Sequence, residues 1–192
     1  MVGCAYTIFD TAVGRCGIAW GDAGIVGVQL PEAREIETRR RLFRLYPDAR
    51  ELPAPLSVEM AIDGIAALLR GEGADLSEVA LDMSGIHAFN ARVYAFTRTI
   101  PRGATRTYGE VAASLRASGA VRSVAQAIAR NPFMIIVPCH RVLEAGGYAD
   151  TISENGGSIS KRRLLSIEGA GSPRSKTLFD VLLPVAPARP QT

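Results

Sequence analysis

Cys139 is the residue in this chain whose neighbours most favour nucleophilic chemistry. It stands in the run Pro138-Cys139-His140-Arg141, directly after the apolar residues 133–137. The thiolate is the reactive form of cysteine, and an adjacent imidazole or guanidinium favours its formation. A free cysteine is more often a buried and inert thiol, but a thiol, an imidazole and a guanidinium in succession favour the active alternative. The sequence therefore predicts a nucleophile at position 139.

His140 is the predicted base for the Cys139 thiol. If both residues were in an extended strand, their side chains would point to opposite faces. Direct contact would then require a turn, and otherwise a water molecule must relay the proton. We favour the relay. A structural histidine is the alternative for His140.

Two short helices precede this segment. Thr107-Tyr108-Gly109-Glu110 has the pattern of a capping box, and a second helix is predicted over residues 120–130. Two short helices joined by a glycine-containing turn, the second one basic, are typical of a helix-turn-helix. The residues predicted to form its buried stripe are Val121, Val124, Ala125 and Ile128. Those predicted to face outward are Arg122, Ser123, Gln126 and Arg130.

The charge distribution points to the same region. Residues 1–88 hold 8 basic and 13 acidic side chains, whereas residues 89–141 hold 8 arginines and only Glu110 as an acid. Such a surface suits phosphates, and Arg and Gln can also contact base edges. On charge alone, a solvated helix face in an Arg-rich chain is an equal alternative. The eight arginines are Arg92, Arg98, Arg102, Arg106, Arg116, Arg122, Arg130 and Arg141.

The N-terminal part of the chain is predicted to be a scaffold. Short apolar or β-branched runs separated by Gly and Asp predict a small antiparallel sheet of hairpins; they span residues 5–9, 16–20 and 24–30. Helical spacing and breakers predict helices over residues 32–46, 56–69 and 89–100. We expect an α/β N-terminal domain (1–86), then a mostly α domain with a winged-helix-like helix-turn-helix (87–170), and a tail (171–192).

Composition excludes several other classes of protein. The 192 residues are nearly half hydrophobic, which is enough for a core, and no apolar run is long enough to span a membrane. Without a signal-peptide pattern, and with an odd set of cysteines, we expect a cytoplasmic protein with free thiols. Cys4, Cys16 and His87 lack the spacing of zinc ligands. We therefore expect no metal, and a monomer.

The segment around Cys139 resembles a known family. Residues 131–142, with IVPCHRV among them, are similar to the O6-alkylguanine-DNA alkyltransferases, also called methylated-DNA–protein-cysteine methyltransferases. The resemblance covers roughly residues 89–170, and the tail is outside it. Further matching positions lie at 107–112, 120–124, Gly156-Gly157, Lys161, Leu164-Leu165 and Glu168-Gly169.

The resemblance implies a mechanism without a cofactor. Cys139 would take the alkyl group from O6 of a guanine flipped out of double-stranded DNA. The reaction would occur once, because a thioether offers water no good leaving group. It requires a sulfur that is ionised and open to the base. His140 would accept the thiol proton through water, and Glu168 would orient the imidazole.

The resemblance also assigns roles around the nucleophile. Asn131 would shape the turn between the recognition helix and the active-site strand. Tyr108 would press on the target nucleotide and donate toward the guanine, and Arg122 would fill the stack that the nucleotide leaves. The other expected DNA or substrate contacts are Ser123, Gln126, Arg130, Arg141, Val142 and Asn155.

One stretch departs from the family, and two other functions are compatible with the chain. Residues 153–158 read SENGGS where the family carries Gly-Tyr-x-Gly-Gly-Leu, and this loop forms a wall of the alkyl pocket in the family. A non-catalytic alkyltransferase-like lesion sensor would keep the helix-turn-helix but would lack a competent cysteine. A Cys/His thiol hydrolase would need turnover and an oxyanion site.

Overall fold

A computed structural model describes residues 3–145 and 159–170. Within those ranges the chain forms a strand-rich first part and a helical second part. The strands are β1 (Ala5–Thr11), β2 (Gly14–Gly21), β3 (Gly24–Gln29), β4 (Arg50–Glu51), β5 (Arg106–Thr107) and β6 (Val142–Leu143). The α-helices are α1 (Glu35–Leu45), α2 (Leu56–Leu69), α3 (Ala88–Arg98), α4 (Tyr108–Ser114), α5 (Val121–Ala129) and α6 (Lys161–Ile167).

The N-terminal sheet contains the predicted hairpins and one additional strand. Its order is β3-β2-β1-β4, and β1, β2 and β3 pair antiparallel. The short β4 pairs parallel to the free edge of β1, with Ala5 opposite Arg50. The sheet is therefore mixed rather than purely antiparallel. Both residues of β4 are exposed and polar, so no apolar run marked this strand in the sequence.

The helices of this first part follow the predicted positions closely. Helix α2 has the predicted bounds, while α1 begins at Glu35, three residues later than predicted. Before α1, the backbone N–H of Glu32 donates to the Thr38 hydroxyl at 3.0 Å, so the chain turns around that side chain before the helix starts. Within the described ranges, no helix is long and apolar enough to cross a membrane.

The helix-turn-helix has the predicted start. The Thr107 hydroxyl accepts from the Glu110 backbone N–H at 3.1 Å, and the Glu110 carboxylate accepts from the Thr107 N–H at 2.6 Å, which completes the capping box. A 3-10 turn then leads into α5. The buried stripe of α5 is partly wrong as predicted. Burial begins one turn into the helix, so that Val121 is 41% exposed and Ala127 is buried instead.

One continuous hydrophobic core joins the two parts of the chain. It includes side chains from the sheet, from α2, α3 and α5, and from residues 133–137. At the junction, the Val28 N–H donates to the Pro132 carbonyl at 2.8 Å. Phe133 packs edge-on against Tyr94 with 6.1 Å between ring centroids, and the Tyr94 hydroxyl donates to the Ala127 carbonyl. The segment that leads to Cys139 is thus anchored to both the sheet and α5.

Candidate active site

Cys139 lies in a turn and not in an extended strand. Pro138 has φ −76° and ψ 68°, and the Cys139 N–H donates to the Val137 carbonyl at 2.7 Å, which is the geometry of an inverse γ-turn. Residues Cys139–Arg141 then form a 3-10 turn. Of the two backbone conformations considered for Cys139 and His140, the structure has the turn. Within the described residues, the hydrogen bonds of the two side chains lead to other partners.

The Cys139 sulfur is enclosed. The residue is 0% exposed, and its Sγ contacts the Met134 Sδ at 3.6 Å. Burial raises the pKa of the thiol, and the Lys161 ammonium, the Asn131 side chain and nearby backbone N–H groups only partly oppose that effect. At rest the thiol is neutral and closed to solvent. The expectation of an ionised and open sulfur does not hold for this conformation.

His140 and Arg141 share one buried carboxylate. The His140 Nε2 lies 2.7 Å from the Glu168 Oε1, and the Arg141 Nη2 and Nε reach the two Glu168 oxygens at 2.7 and 2.9 Å. The side chains of His140, Arg141 and Glu168 are only 2%, 9% and 5% exposed. The Arg141 Nη1 also donates to the Ile100 carbonyl at the end of α3. The arrangement links α6, α3 and the Cys139 turn.

The electrostatics of this network define the protonation states. Burial raises the pKa of Glu168, but hydrogen bonds from His140 and Arg141 outweigh it and lower the pKa to about 2. Burial lowers the pKa of His140 although Glu168 opposes that shift, so the imidazole is neutral at pH 7. Because Nε2 faces a carboxylate, it carries the hydrogen. The unprotonated Nδ1 makes no hydrogen bond to another described residue and can accept a proton.

Asn131 clamps the turn that precedes Cys139. Its Oδ1 accepts from the Phe133 N–H and its Nδ2 donates to the Val137 carbonyl, both at 2.9 Å. The residue is 0% exposed. One side chain thus holds both ends of residues 133–137 and connects the end of α5 with the nucleophile.

Lys161 is a site residue to which sequence reasoning assigned no role. Its ammonium donates to the Tyr108 hydroxyl at 3.3 Å and to the Val142 carbonyl at 3.4 Å, and lies 5.7 Å from the Tyr108 ring centroid. Lys161 is only 8% exposed, although lysines are rarely buried. The sequence did contain a signal that could have singled out Lys161, because only two of the 22 basic residues in the chain are lysines.

The outward face of α5 carries the predicted polar side chains. Arg122, Ser123, Gln126 and Arg130 are all exposed. The last three line a groove of about 310 Å³ together with His87 and other residues at the start of α3. Arg122 lies outside that lining, on the first turn of α5. These four side chains are brought together on one accessible surface.

Besides Arg141, three arginines in residues 89–141 donate hydrogen bonds to backbone carbonyls of distant elements. Arg92 donates to the Leu115 carbonyl, which ends α4, and Arg102 donates to carbonyls at the ends of α2 and α6. Arg98 donates to the carbonyls of residues 76, 77 and 79. Unpaired carbonyls at helix ends attract such donors. The charge of this region is therefore only partly available to DNA.

Two predicted contacts, Arg141 and Val142, are buried in the described structure. Arg141 is 8% exposed and holds Glu168, so it is a positioning residue here and not a DNA contact. The side chain of Val142 is 0% exposed, and its carbonyl faces Lys161. Asn155 and the rest of the departing loop lie outside the described residues. Within the described ranges, no cluster of three His, Cys, Asp or Glu side chains could hold a metal ion.

A helix-turn-helix with an exposed basic helix, joined by a clamped turn to a buried cysteine beside a His-Glu-Arg network, is the arrangement of a DNA-binding protein with a candidate cysteine nucleophile. Residues 88–170 match the family model described as "6-O-methylguanine DNA methyltransferase, DNA binding domain". The methylated-DNA–protein-cysteine methyltransferase of Methanothermobacter thermautotrophicus is 37% identical over 153 residues, covering 80% of this chain and 78% of that protein. The chain belongs to the methylated-DNA–protein-cysteine methyltransferase family.

Other relatives and solved structures agree. The Mycobacterium tuberculosis protein of the same name is 40% identical over 144 residues, which cover 73% of this chain and 84% of that one. The crystal structure of M. tuberculosis O6-methylguanine methyltransferase superposes with a TM-score of 0.67 at 32% identity, covering 92% of this chain and 99% of that chain. The structure of M. tuberculosis OGT in complex with DNA gives 0.64 at 31% identity, covering 85% and 92%.

We expect Glu168→Gln to destabilise the protein at pH 7 by about 3–5 kcal/mol, because a buried Arg141 would lose its anion. In the unmutated protein the carboxylate stabilises the fold above its ordinary pKa of 4.5, and this contribution is lost as the pH falls from about 4.5 to about 2. The stability of the variant should depend less on pH than that of the unmutated protein between about pH 4.5 and about pH 2. Urea midpoints measured from pH 7 to pH 2 test this.

The control is Glu144→Gln, which removes an exposed carboxylate and should leave the urea midpoint at pH 7 unchanged. Equal urea midpoints for Glu168→Gln and the unmutated protein at pH 7 would contradict the role assigned to this carboxylate.

Proposed function

We propose that this protein repairs O6-alkylguanine in double-stranded DNA by moving the alkyl group onto Cys139, once per molecule. The observation that carries the proposal is a neutral imidazole, next to Cys139 in the sequence, whose Nε2 is held by Glu168 and whose Nδ1 makes no hydrogen bond to another described residue. Membership of the methyltransferase family supports the same reaction. Residues 87–170 would perform it, residues 1–86 would serve as the scaffold, and the role of the tail stays open.

The buried thiol requires a base at the moment of reaction. In this proposal the His140 Nδ1 accepts the Cys139 proton through a water molecule, and the Glu168 carboxylate stabilises the imidazolium that forms. The Sγ–C bond then forms as the C–O6 bond breaks, and the electron pair leaves with the guanine. Arg141 acts indirectly, because it holds Glu168 in place.

Tyr108 and Lys161 are proposed to assist the leaving base. The Lys161 ammonium donates to the Tyr108 hydroxyl, so the hydroxyl hydrogen is available to another acceptor. A donor at this position stabilises negative charge that develops on the guanine. Asn131, which clamps the segment before Cys139, is proposed as a positioning residue.

The closed thiol implies that side chains move when a base enters. Met134 contacts the sulfur directly, and a methionine has three flexible torsions and adapts its shape at low cost. We propose that displacement of the Met134 side chain opens the path to the thiol. Base flipping adds a cost of about a few kcal/mol, which is least for a damaged, weakly paired base.

The exposed face of α5 is the proposed DNA-reading surface. Arg122 would enter the stack, while Ser123, Gln126 and Arg130 would contact the duplex nearby. We also propose that the protein acts as a monomer in the cytoplasm, where the acceptor stays reduced. In support, all three cysteines are free thiols.

A duplex with one O6-methylguanine should add a single methyl group to each protein molecule, at Cys139. Intact mass and peptide mapping measure the gain. Cys139→Ala should bind the same duplex without any mass gain, which separates binding from transfer. Binding without transfer by the unmutated protein would support the lesion sensor, and free product in excess over protein would support the hydrolase.

The pH dependence of the transfer rate should show whether His140 acts as the base. The rate should be constant near neutral pH and should fall only at a pH below the ordinary histidine pKa of 6.5, because burial lowers the pKa of His140 and protonation then removes the base only in acid. His140→Gln should react much more slowly at pH 7, and its rate should rise with pH toward the raised pKa of the thiol. Single-turnover rates from pH 5 to pH 10 test this. The same pH dependence for both proteins would exclude His140 as the base.

Affinity for duplex DNA should fall as salt rises, because phosphate contacts release counterions. Arg122→Ala and Arg130→Ala are each expected to weaken binding. For each phosphate contact removed, the slope of log K against log salt should become shallower by about 0.9. Arg70→Ala removes an arginine that is already paired with Glu72 and should leave the slope unchanged. Fluorescence anisotropy from 50 to 200 mM salt measures the slopes, and a flat dependence for the unmutated protein would exclude the α5 surface as a phosphate contact.

A further inference from the structure

Ile135 has an unusual backbone conformation. Its φ is +71°, and Arg116 is the other non-glycine residue recorded with a positive φ in the described ranges. Positive φ crowds the Cβ atom against the following carbonyl, and a β-branched residue there is a genuine outlier. Glycine adopts this region without strain. Such a conformation persists only where the surrounding structure compensates for its cost.

The strained residue lies in the turn that delivers the nucleophile. The turn is closed by the Val137 N–H, which donates to the Phe133 carbonyl at 2.8 Å. Asn131 clamps both of those residues. Met134, which precedes Ile135, contacts the Cys139 sulfur. The direction of the backbone at Ile135 consequently determines where Met134 and the thiol meet.

The side chain of Ile135 is buried at the wall of a cavity. Ile135 is 4% exposed and lines a cavity of about 410 Å³, whose wall also includes Leu68 of α2, Ile100 after α3, and Pro138. Burial of the side chain against these elements offsets the unfavourable backbone. The next residue, Ile136, is equally buried at 3% and lines the same cavity, but it has no positive φ.

We propose that Ile135 is a positioning residue for alkyl transfer: its anchored side chain holds the turn in a left-handed conformation that places Met134 and Cys139 against each other. The inference rests on the proposed function, since it concerns the rate of that reaction. Ile136, with the same burial and no strain, contributes to the core alone and provides a matched control.

The first measurement compares glycine with alanine at both positions. At position 135, Gly should be more stable than Ala, with a Tm higher by about 2–4 °C, because only Gly relieves the positive φ. At position 136 the order should be reversed, because glycine there only adds freedom to the unfolded chain. Ala at least as stable as Gly at position 135 would show that Ile135 is not strained and would overturn the inference.

The second measurement compares transfer rates with DNA binding. Ile135→Ala should lower the single-turnover rate at Cys139 by about tenfold or more, because small displacements of a reacting group are costly. Its affinity for lesion-free duplex should stay unchanged, since α5 is not altered. Ile136→Ala should keep the rate within about twofold of the unmutated protein, and Ile135→Val, which retains the β-branch, should do the same.

The outcomes separate this inference from the proposed function. If the unmutated protein does not transfer the alkyl group to Cys139, the proposed function fails. If it does, and Ile135→Ala and Ile136→Ala slow the reaction equally, the positioning role is wrong. If Ile135→Ala does not fold, Ile135→Leu against Ile136→Leu provides the same comparison at nearly constant volume, and loss of rate at position 135 alone is the expected result.

Discussion

The buried Glu168 carboxylate is the interaction on which the rest of the site depends. The two Glu168 oxygens accept hydrogen bonds from the neutral His140 imidazole and from the Arg141 guanidinium. The guanidinium also donates to the Ile100 carbonyl at the end of α3. A buried charge is tolerated only when its partners are well placed. The same contacts therefore fasten α6 to the Cys139 turn and leave Nδ1 of His140 as the basic nitrogen. Fold and protonation state have a common cause in this network.

Burial of the Cys139 thiol, the proposed acceptor, has two opposite consequences. A neutral, enclosed sulfur resists oxidation and reaction with small electrophiles, because the thiolate is the reactive form. The same enclosure makes the thiol unreactive until a base removes its proton and a side chain moves aside. For a protein that can use its cysteine once, loss of that cysteine to a side reaction is permanent. A base that acts only when substrate is present is compatible with that constraint.

Local patterns in the sequence predicted local structure well. The hairpins, the bounds of α2 and the capping box at Thr107 all depend on neighbouring residues, and the structure confirmed them. Features that depend on distant partners were missed or wrong. Strand β4, the exposure of Val121 and the carbonyl contacts of Arg98 and Arg102 arise from packing between elements far apart in sequence. In particular, the number of arginines in a segment does not show which of them can contact phosphates and which donate to carbonyls at helix ends.

The segment from Asn131 to Cys139 explains why the site could be located but not described from sequence. The family motif identified the residues, yet it contains no information on the positive φ at Ile135 or on the Met134 contact. Both features follow from two constraints on a short turn. Asn131 forms hydrogen bonds with both ends of the turn, and the isoleucines of the turn line a cavity together with α2 and the residues after α3. A turn constrained from three directions has little freedom left. The position of the thiol is then a property of the whole core, and changes far from the chemistry can alter the reaction through it.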